Sequence, residues 1–234
     1  MQLHEISEHN TKIWVADHVC SDFQASWFEA KSSEKVGGWQ SGRQSIARIE
    51  LASRKMVLRH YCRGGVPARF SKDKFIFRGY LASRPYRELV LLQTMYQQGL
   101  PVPEPIASRC IVNGVLYHAD ILMSEIVGAK TLAQIISNTS LEQAVWEKIG
   151  QIIRRFHQQG IQHVDLNANN ILLNESGDVY LIDFDRCVQR TYSEDWARAG
   201  IERLKRSLSK QKQSQFKTNF HQDNFDALLD GYQR

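Results

Sequence analysis

Apolar positions along the chain follow two periods, and each predicts a different kind of element. Short runs of β-branched and aromatic residues bounded by turn formers predict strands at Ile13–Val15, Ser45–Leu51, Lys55–Tyr61, Arg109–Val112 and Leu116–Met123. Two more such runs, Ile171–Leu173 and Val179–Ile182, are separated by Asn174, Glu175, Ser176, Gly177 and Asp178, and read as one β-hairpin. Helical spacing appears where Ser83 caps a segment with Pro85 in its first turn and Gly99 at its end, along which Leu89, Leu92 and Tyr96 recur. Leu100–Pro105 holds three prolines and must be extended. The clearest helix opens at Ser140, which with Gln143 would form a capping box; Leu141, Val145, Ile149, Ile152, Ile153 and Phe156 share one face until Gly160 ends it. Phe23–Ala30 is a short helical segment, and Phe225, Leu228, Leu229 and Tyr232 mark a final packing helix.

Polar residues at the borders of the predicted hairpin carry the candidate chemistry. Asp165 precedes it, Asn170 stands at its start and Asp183 at its end. A turn centred on Ser176–Gly177 would set Asn170 directly opposite Asp183, with Cβ atoms ~4.5–5.5 Å apart, so both side chains could reach one cation. One carboxylate and one amide, with no His or Cys close by, suit Mg²⁺, which keeps water ligands and takes the rest from substrate phosphates. Asp165, in the loop just before, can orient a hydroxyl and accept its proton while the metal neutralises the phosphate. His163 reads as a buried, hydrogen-bonded support for that loop rather than an acid or base.

Composition narrows the setting. At 234 residues, 42% hydrophobic and 24% charged, the chain holds one globular domain or two small lobes around a cleft. No apolar run reaches the ~18 residues of a membrane span, and the start MQLHEISEHNTK has no secretory pattern. Cys20, Cys62, Cys110 and Cys187 are scattered without a CxxC pair, which points to a reduced cytosolic protein without structural zinc. Charge is uneven: residues 54–87 carry ten Lys/Arg against one acid and residues 198–217 seven against one, within a net charge of only +5. Two basic patches on an otherwise acidic chain imply a localised polyanionic partner. Cys62–Tyr80 interleaves its basic residues with aromatics, which fits phosphorylated lipid head groups, with a nucleic-acid surface or a solvated loop as alternatives.

H-x-D-L-x-x-x-N followed after a hairpin by D-F-x resembles the catalytic and metal-binding loops of the protein-kinase-like superfamily. More narrowly, HVDLNANNILL with LIDFDR, LRHYCRGG and GLPVPEPIA resemble the 3-deoxy-D-manno-octulosonic acid (Kdo) kinases of Gram-negative bacteria, a lipopolysaccharide kinase family, from about Gly37 to the C-terminus. The resemblance implies an α+β, two-lobed kinase-like fold: a mostly antiparallel β N-lobe over residues 1–126 and a short, mainly helical C-lobe over residues 127–234. It implies ATP and Mg²⁺ as cofactors, with Asp165 as base and Asn170 and Asp183 as metal ligands. Asp185, where kinases have the Gly of D-F-G, is a further ligand or a hydrogen-bonding support of the loop. Gly37, Gly38 and Gly42 would line a phosphate loop, although they depart from G-x-G-x-x-G and an ordinary hairpin is the alternative. Arg59 stands in the place of the third-strand Lys that touches the α- and β-phosphates, and Glu88 in that of its helix partner. Backbone groups of Glu125–Val127 would face adenine.

Only 51 residues follow Asp183, too few for the lobe with which protein kinases hold a peptide, and Asn167 replaces their usual Lys. The resemblance therefore implies a small-molecule acceptor: the Kdo residue of Kdo-lipid IVA, at its 4-hydroxyl, in lipopolysaccharide core assembly. It further implies peripheral attachment to an anionic surface, the cytoplasmic face of the inner membrane, and no nucleic-acid partner. Ile201, Leu204 and Leu208 form a narrow apolar stripe on a basic helix, suited to such a surface or to packing within the protein. Rival readings are an aminoglycoside- or choline-kinase-like enzyme, whose cationic acceptor would want an acidic face, and a non-catalytic nucleic-acid-binding or scaffold protein.

Overall fold

The computed structural model describes residues 3–29, 34–35, 44–51, 54–62, 73–213 and 219–234. Gly37, Gly38 and Gly42 and the first ten residues after Cys62 lie outside the described residues. The chain forms two compact units, residues 1–97 with 103–125 and residues 98–102 with 126–234.

Among its described residues, the first unit is a sheet with one α-helix. β1 (Leu3–Glu8) and β2 (Thr11–Ala16) make a hairpin; β3 (Glu34–Lys35), β4 (Gln44–Leu51), β5 (Arg54–Tyr61) and β6 (Phe75–Ile76) follow. Helix α1 (Arg84–Gln97) separates these from β7 (Pro105–Asn113) and β8 (Leu116–Ser124). The strands form an antiparallel sheet in the order β1-β2-β7-β8-β5-β4-β3, with β6 also on β8. All neighbours pair antiparallel, including β2 with β7 and β5 with β8, which are distant in sequence, and alternation along β2 and β5 turns Ile13, Val15 and Met56 into a core shared with Ile106 and Leu122. Trp27 and Phe28 join it from a 3₁₀ turn, Ala25–Glu29, which replaces the longer helix expected over Phe23–Ala30. Helix α1 packs on β7 and β8 through Leu89, Leu92 and Met95, whereas Tyr96, expected on that stripe, is exposed.

The second unit is mainly helical. β9 (Lys130–Thr131) leads into α2 (Leu132–Asn138), and α3 (Gln143–Gln158) follows. The capping box expected at Ser140 and Gln143 belongs instead to α2, where Thr131 and Gln134 exchange side-chain and backbone bonds. Helix α3 starts at Glu142 without a side-chain cap, and Trp146, Ile149, Gly150, Ile153, Phe156 and His157 are its buried face. β10 (Ile161–Gln162), β11 (Ile171–Leu173), β12 (Val179–Leu181) and β13 (Val188–Gln189) come next, then α4 (Glu194–Gln213) and α5 (Gln222–Gln233). α3 crosses α5 at backbone distance: a Cβ on Gly150 would sit 2.0 Å from Leu228 O, and one on Gly231 2.0 Å from Glu147 O. Only glycine fits either position. Ile201, Leu204 and Leu208 of α4 are buried, so the apolar stripe packs inside the protein. No helix among the described residues is long and apolar enough to cross a membrane.

Candidate active site

The loop bearing Asp165 is built between two small strand pairs. β10 pairs with β13, and β11 pairs with β12 and with β9. The chain therefore leaves β10, runs through residues 163–170 into the hairpin, and returns through residues 182–187 to β13 beside its starting point. Gly160 permits the turn from α3: its φ is +73°, and a Cβ there would lie 2.1 Å from Arg190 O.

The hairpin register differs by one residue from the expected one. Ile171 pairs with Leu181 and Leu173 with Val179, which puts Asn170 across from Ile182 rather than Asp183. The cause is the turn. Asn174 N–H donates to Asp178 O at 3.1 Å and Gly177 has φ +76°, so three residues close the hairpin with glycine in the left-handed position. A one-residue slip in a regular strand would aim Asp183 at the wrong face. The strand, however, stops at Leu181, and Asp183 itself adopts φ +65°. That backbone leaves the alternation rule behind, at a cost of about 1–2 kcal/mol.

One hydrogen-bond chain then ties Asp165 and Asn170 to Ile182, the neighbour of Asp183. Asn170 Nδ2 donates to Asp165 O at 2.9 Å. Ile182 N–H donates to Asn170 O at 3.1 Å. Ile182 O accepts from His163 Nε2 at 2.9 Å, and Asp165 N–H donates to His163 Nδ1 at 3.3 Å. His163 thus uses one nitrogen as donor and the other as acceptor, the pattern of a neutral imidazole, which makes it a strut of the loop. It is buried and packs on Phe184 at 5.0 Å between ring centroids; Phe184 in turn stacks on Phe156 of α3. Asn167 braces the same turn, donating to Asp165 O and accepting from Asn169 N–H.

The side chains emerge from this frame in different states. Asp165 is exposed, Asn170 is buried, and Asp183 and Asp185 are half-buried. Asn170 is bonded through its amide nitrogen, so the end engaged is not the oxygen that could ligate a cation. Asp185 sits in a turn closed by Cys187 N–H donating to Phe184 O at 2.9 Å. Two residues absent from the expected set also meet the loop: Arg203 Nη1 lies 3.4 Å from Asp165 Oδ1, and Ser207 Oγ accepts from Ala168 N–H at 3.2 Å. They stand four apart on α4, a spacing that puts both on one face. The basic content of that segment was visible in sequence; its direction was not.

In the first unit Arg59 and Glu88 do meet. Arg59 Nη2 donates to Glu88 Oε2, and the pair is buried between β5 and α1. Tyr61 donates to the same carboxylate oxygen. Burial and the Glu88 charge push the Tyr61 phenol well above its ordinary value, so it stays a donor. Tyr61 was missed, although it lies two residues from Arg59 and a strand's alternation puts both on one face. Glu125 N–H is committed to Lys55 O at 2.9 Å, which removes it from the expected adenine contacts; Val127 is exposed.

The sequence pattern of the lipopolysaccharide kinase (Kdo/WaaP) family matches residues 26–232. The chain belongs to that family. Among curated relatives, 3-deoxy-D-manno-octulosonic acid kinase of Vibrio parahaemolyticus is 35% identical over 212 residues, 89% of each chain. The enzyme of the same name from Photobacterium profundum is 32% identical over 234 residues, 99% of this chain and 98% of its own. That from Xylella fastidiosa is 40% identical over 171 residues, 73% of this chain and 68% of its own. A solved structure of WaaP in complex with acyl carrier protein shares the fold, with a TM-score of 0.56 and 15% identity over 88% of this chain and 82% of that one. The α+β kinase-like architecture expected from the sequence is thereby met by the family and by the described elements.

Proposed function

We propose that this lipopolysaccharide kinase family member transfers the γ-phosphoryl group of ATP to the Kdo residue of Kdo-lipid IVA, at the 4-hydroxyl. The observation that carries the reading is the hydrogen-bond chain from Asp165 through Asn170 to Ile182, next to Asp183. Relatives named Kdo kinase at 32–40% identity supply the acceptor.

Asp165 is anchored through its backbone, which leaves an exposed carboxylate on a fixed loop. It would accept a hydrogen bond from the acceptor hydroxyl and take its proton as that oxygen attacks the γ-phosphorus. Arg203 would hold the orientation of the carboxylate. The amide oxygen of Asn170 and the carboxylates of Asp183 and Asp185 form an all-oxygen donor set, which fits Mg²⁺ rather than a softer ion. Bound there, magnesium supplies neutralisation of phosphate charge. Arg59, kept in place by Glu88 and Tyr61, would contact the α- and β-phosphates; a guanidinium fork can hold a carboxylate and a phosphate together. The Glu125 carbonyl and the Val127 backbone would meet adenine, and Gly37, Gly38 and Gly42 the phosphates.

Peripheral attachment to the cytoplasmic face of the inner membrane would then be electrostatic, since the stripe of α4 is buried while Arg198, Arg203 and Arg206 are exposed. Binding to anionic vesicles should be strong at low salt and lost at high salt; no binding at low salt would remove the membrane from the reading. The decisive assay is incubation with γ-labelled ATP and Kdo-lipid IVA, followed by location of the new phosphate. Label at the Kdo 4-position is expected. Transfer to an aminoglycoside or choline, with none to the Kdo lipid, would overturn it.

A further inference from the structure

On the face of the sheet opposite Arg59, three metal-ligating side chains converge. Neighbours in a strand point to opposite faces, so His60 of β5 turns away from the Arg59–Glu88 pair. It pairs in register with Asp120 of β8, and His118 lies two residues earlier on the same face of β8. Asp73, two residues before β6, closes the group: its Oδ2 is 3.5 Å from His60 Nε2 and 3.2 Å from His118 Nδ1. The three ligand atoms all lie within 4.8 Å of one another.

The two separations to Asp73 match those of a metal shell. Two atoms each ~2.05 Å from a tetrahedral ion lie ~3.3 Å from each other. The rings of His60 and His118 are nearly parallel, 27° apart with centroids at 6.4 Å. The other nitrogen of His60 is already held, with Nδ1 2.6 Å from Asp120 Oδ1. Asp120 is itself fixed by Arg109 through Nε at 2.9 Å and Nη2 at 2.8 Å. A carboxylate behind a histidine ligand sets its tautomer and ring plane, the usual outer support of a bound metal. Arg109 offsets the charge of Asp120, which leaves the Asp73 carboxylate and two imidazoles to face one cation. The side chains are 32%, 37% and 23% exposed for His60, Asp73 and His118, open enough for an ion and a water as fourth ligand.

We propose that His60, Asp73 and His118 bind one zinc-class divalent ion, which fastens the residues leading into β6 to strands β5 and β8. Two imidazoles and one carboxylate suit zinc and its first-row neighbours rather than the magnesium of the phosphotransfer site. The ligands lie 13 and 45 positions apart in sequence, so no spacing motif announces them, and the cysteines that spoke against structural zinc are not used. The ion is structural and independent of Asp165.

The test is titration of chelator-treated full-length protein with Zn²⁺, and with Co²⁺, whose visible absorption reports its ligands. One equivalent should bind and raise Tm by mass action. His118→Ala and Asp73→Asn should each abolish stoichiometric binding, and Asp120→Asn, which alters only the outer support, should weaken it about 10–100-fold. His4→Ala, in the exposed cluster with Asp17 and Cys20, should leave it unchanged. Circular dichroism verifies folding, and both ligand substitutions are at partly exposed positions. Failure of the wild-type protein to bind one equivalent would overturn the proposal, because the cluster is then an imidazolium–carboxylate group. Undiminished binding by folded His118→Ala and Asp73→Asn, or its loss in His4→Ala, would do the same.

Discussion

Arg59 and Asp165 are the charges on which the proposed chemistry turns, and the protein holds them in opposite ways. Arg59 is 3% exposed, on a central strand, locked to Glu88 of α1, which is 2% exposed. Asp165 has a 58% exposed side chain on a loop, and its position comes from backbone bonds to His163 and Asn170. A buried pair cannot lose one member without stranding the other in a low-dielectric interior, so its function and its fold are one property. An exposed carboxylate on a braced loop can be removed with little structural cost. The strain of the second arrangement sits elsewhere, in the left-handed backbone of Asp183.

The comparison breaks most visibly at Glu88. Glu88→Ala should cost about 3–5 kcal/mol in denaturant unfolding, whereas Arg59→Met with Glu88→Leu should regain most of that without regaining activity. An unchanged midpoint for Glu88→Ala would show the pair to be dispensable to the fold.

His157 offers a buried group kept neutral instead of paired. Burial pulls it down to about 4; its Nδ1 lies 2.7 Å from the Tyr232 hydroxyl. The unfolded chain, titrating near 6.5, takes up a proton that the folded chain refuses, so stability is full above pH 6.5 and falls as pH drops towards 4. The loss should be on the order of 3 kcal/mol. Unfolding free energies measured from pH 7 to 4 should show that slope, and His157→Gln should flatten it; an equal slope in the variant would contradict the assignment.

Smaller effects sharpen the contrast between packing and bracing. Gly150→Ala pushes a methyl against the Leu228 carbonyl and should cost about 1–3 kcal/mol by thermal unfolding. Ser207→Ala removes the acceptor for Ala168 N–H and should cost about 1 kcal/mol, with a fall in phosphotransfer rate no larger than tenfold. A larger rate loss would mean that α4 does more than brace the loop.

The proposed catalytic segment was legible because polar residues interrupt two apolar β runs at fixed places, and Arg59 and Glu88 through the resemblance to the third-strand cation and helix Glu of kinases. What escaped was set by geometry that residue types leave open. The hairpin register shifted because a three-residue turn with Gly177 in the left-handed region replaced a symmetric one. β1 is exposed at four of its six positions and joins the sheet by backbone pairing with β2, so it had no hydrophobic pattern to betray it. The capping box was placed at Ser140 rather than Thr131 because both offer a hydroxyl three residues before a glutamine. The apolar stripe of α4 could equally have met lipid or protein until the buried Ile201, Leu204 and Leu208 decided it.

Asp165→Ala tests the central claim most directly, assayed for transfer from γ-labelled ATP to Kdo-lipid IVA and, in parallel, for binding of ATP with Mg²⁺. Transfer should fall about 10²–10⁴-fold while nucleotide affinity and Tm stay at wild-type values. Transfer at the wild-type rate would take Asp165 out of the mechanism.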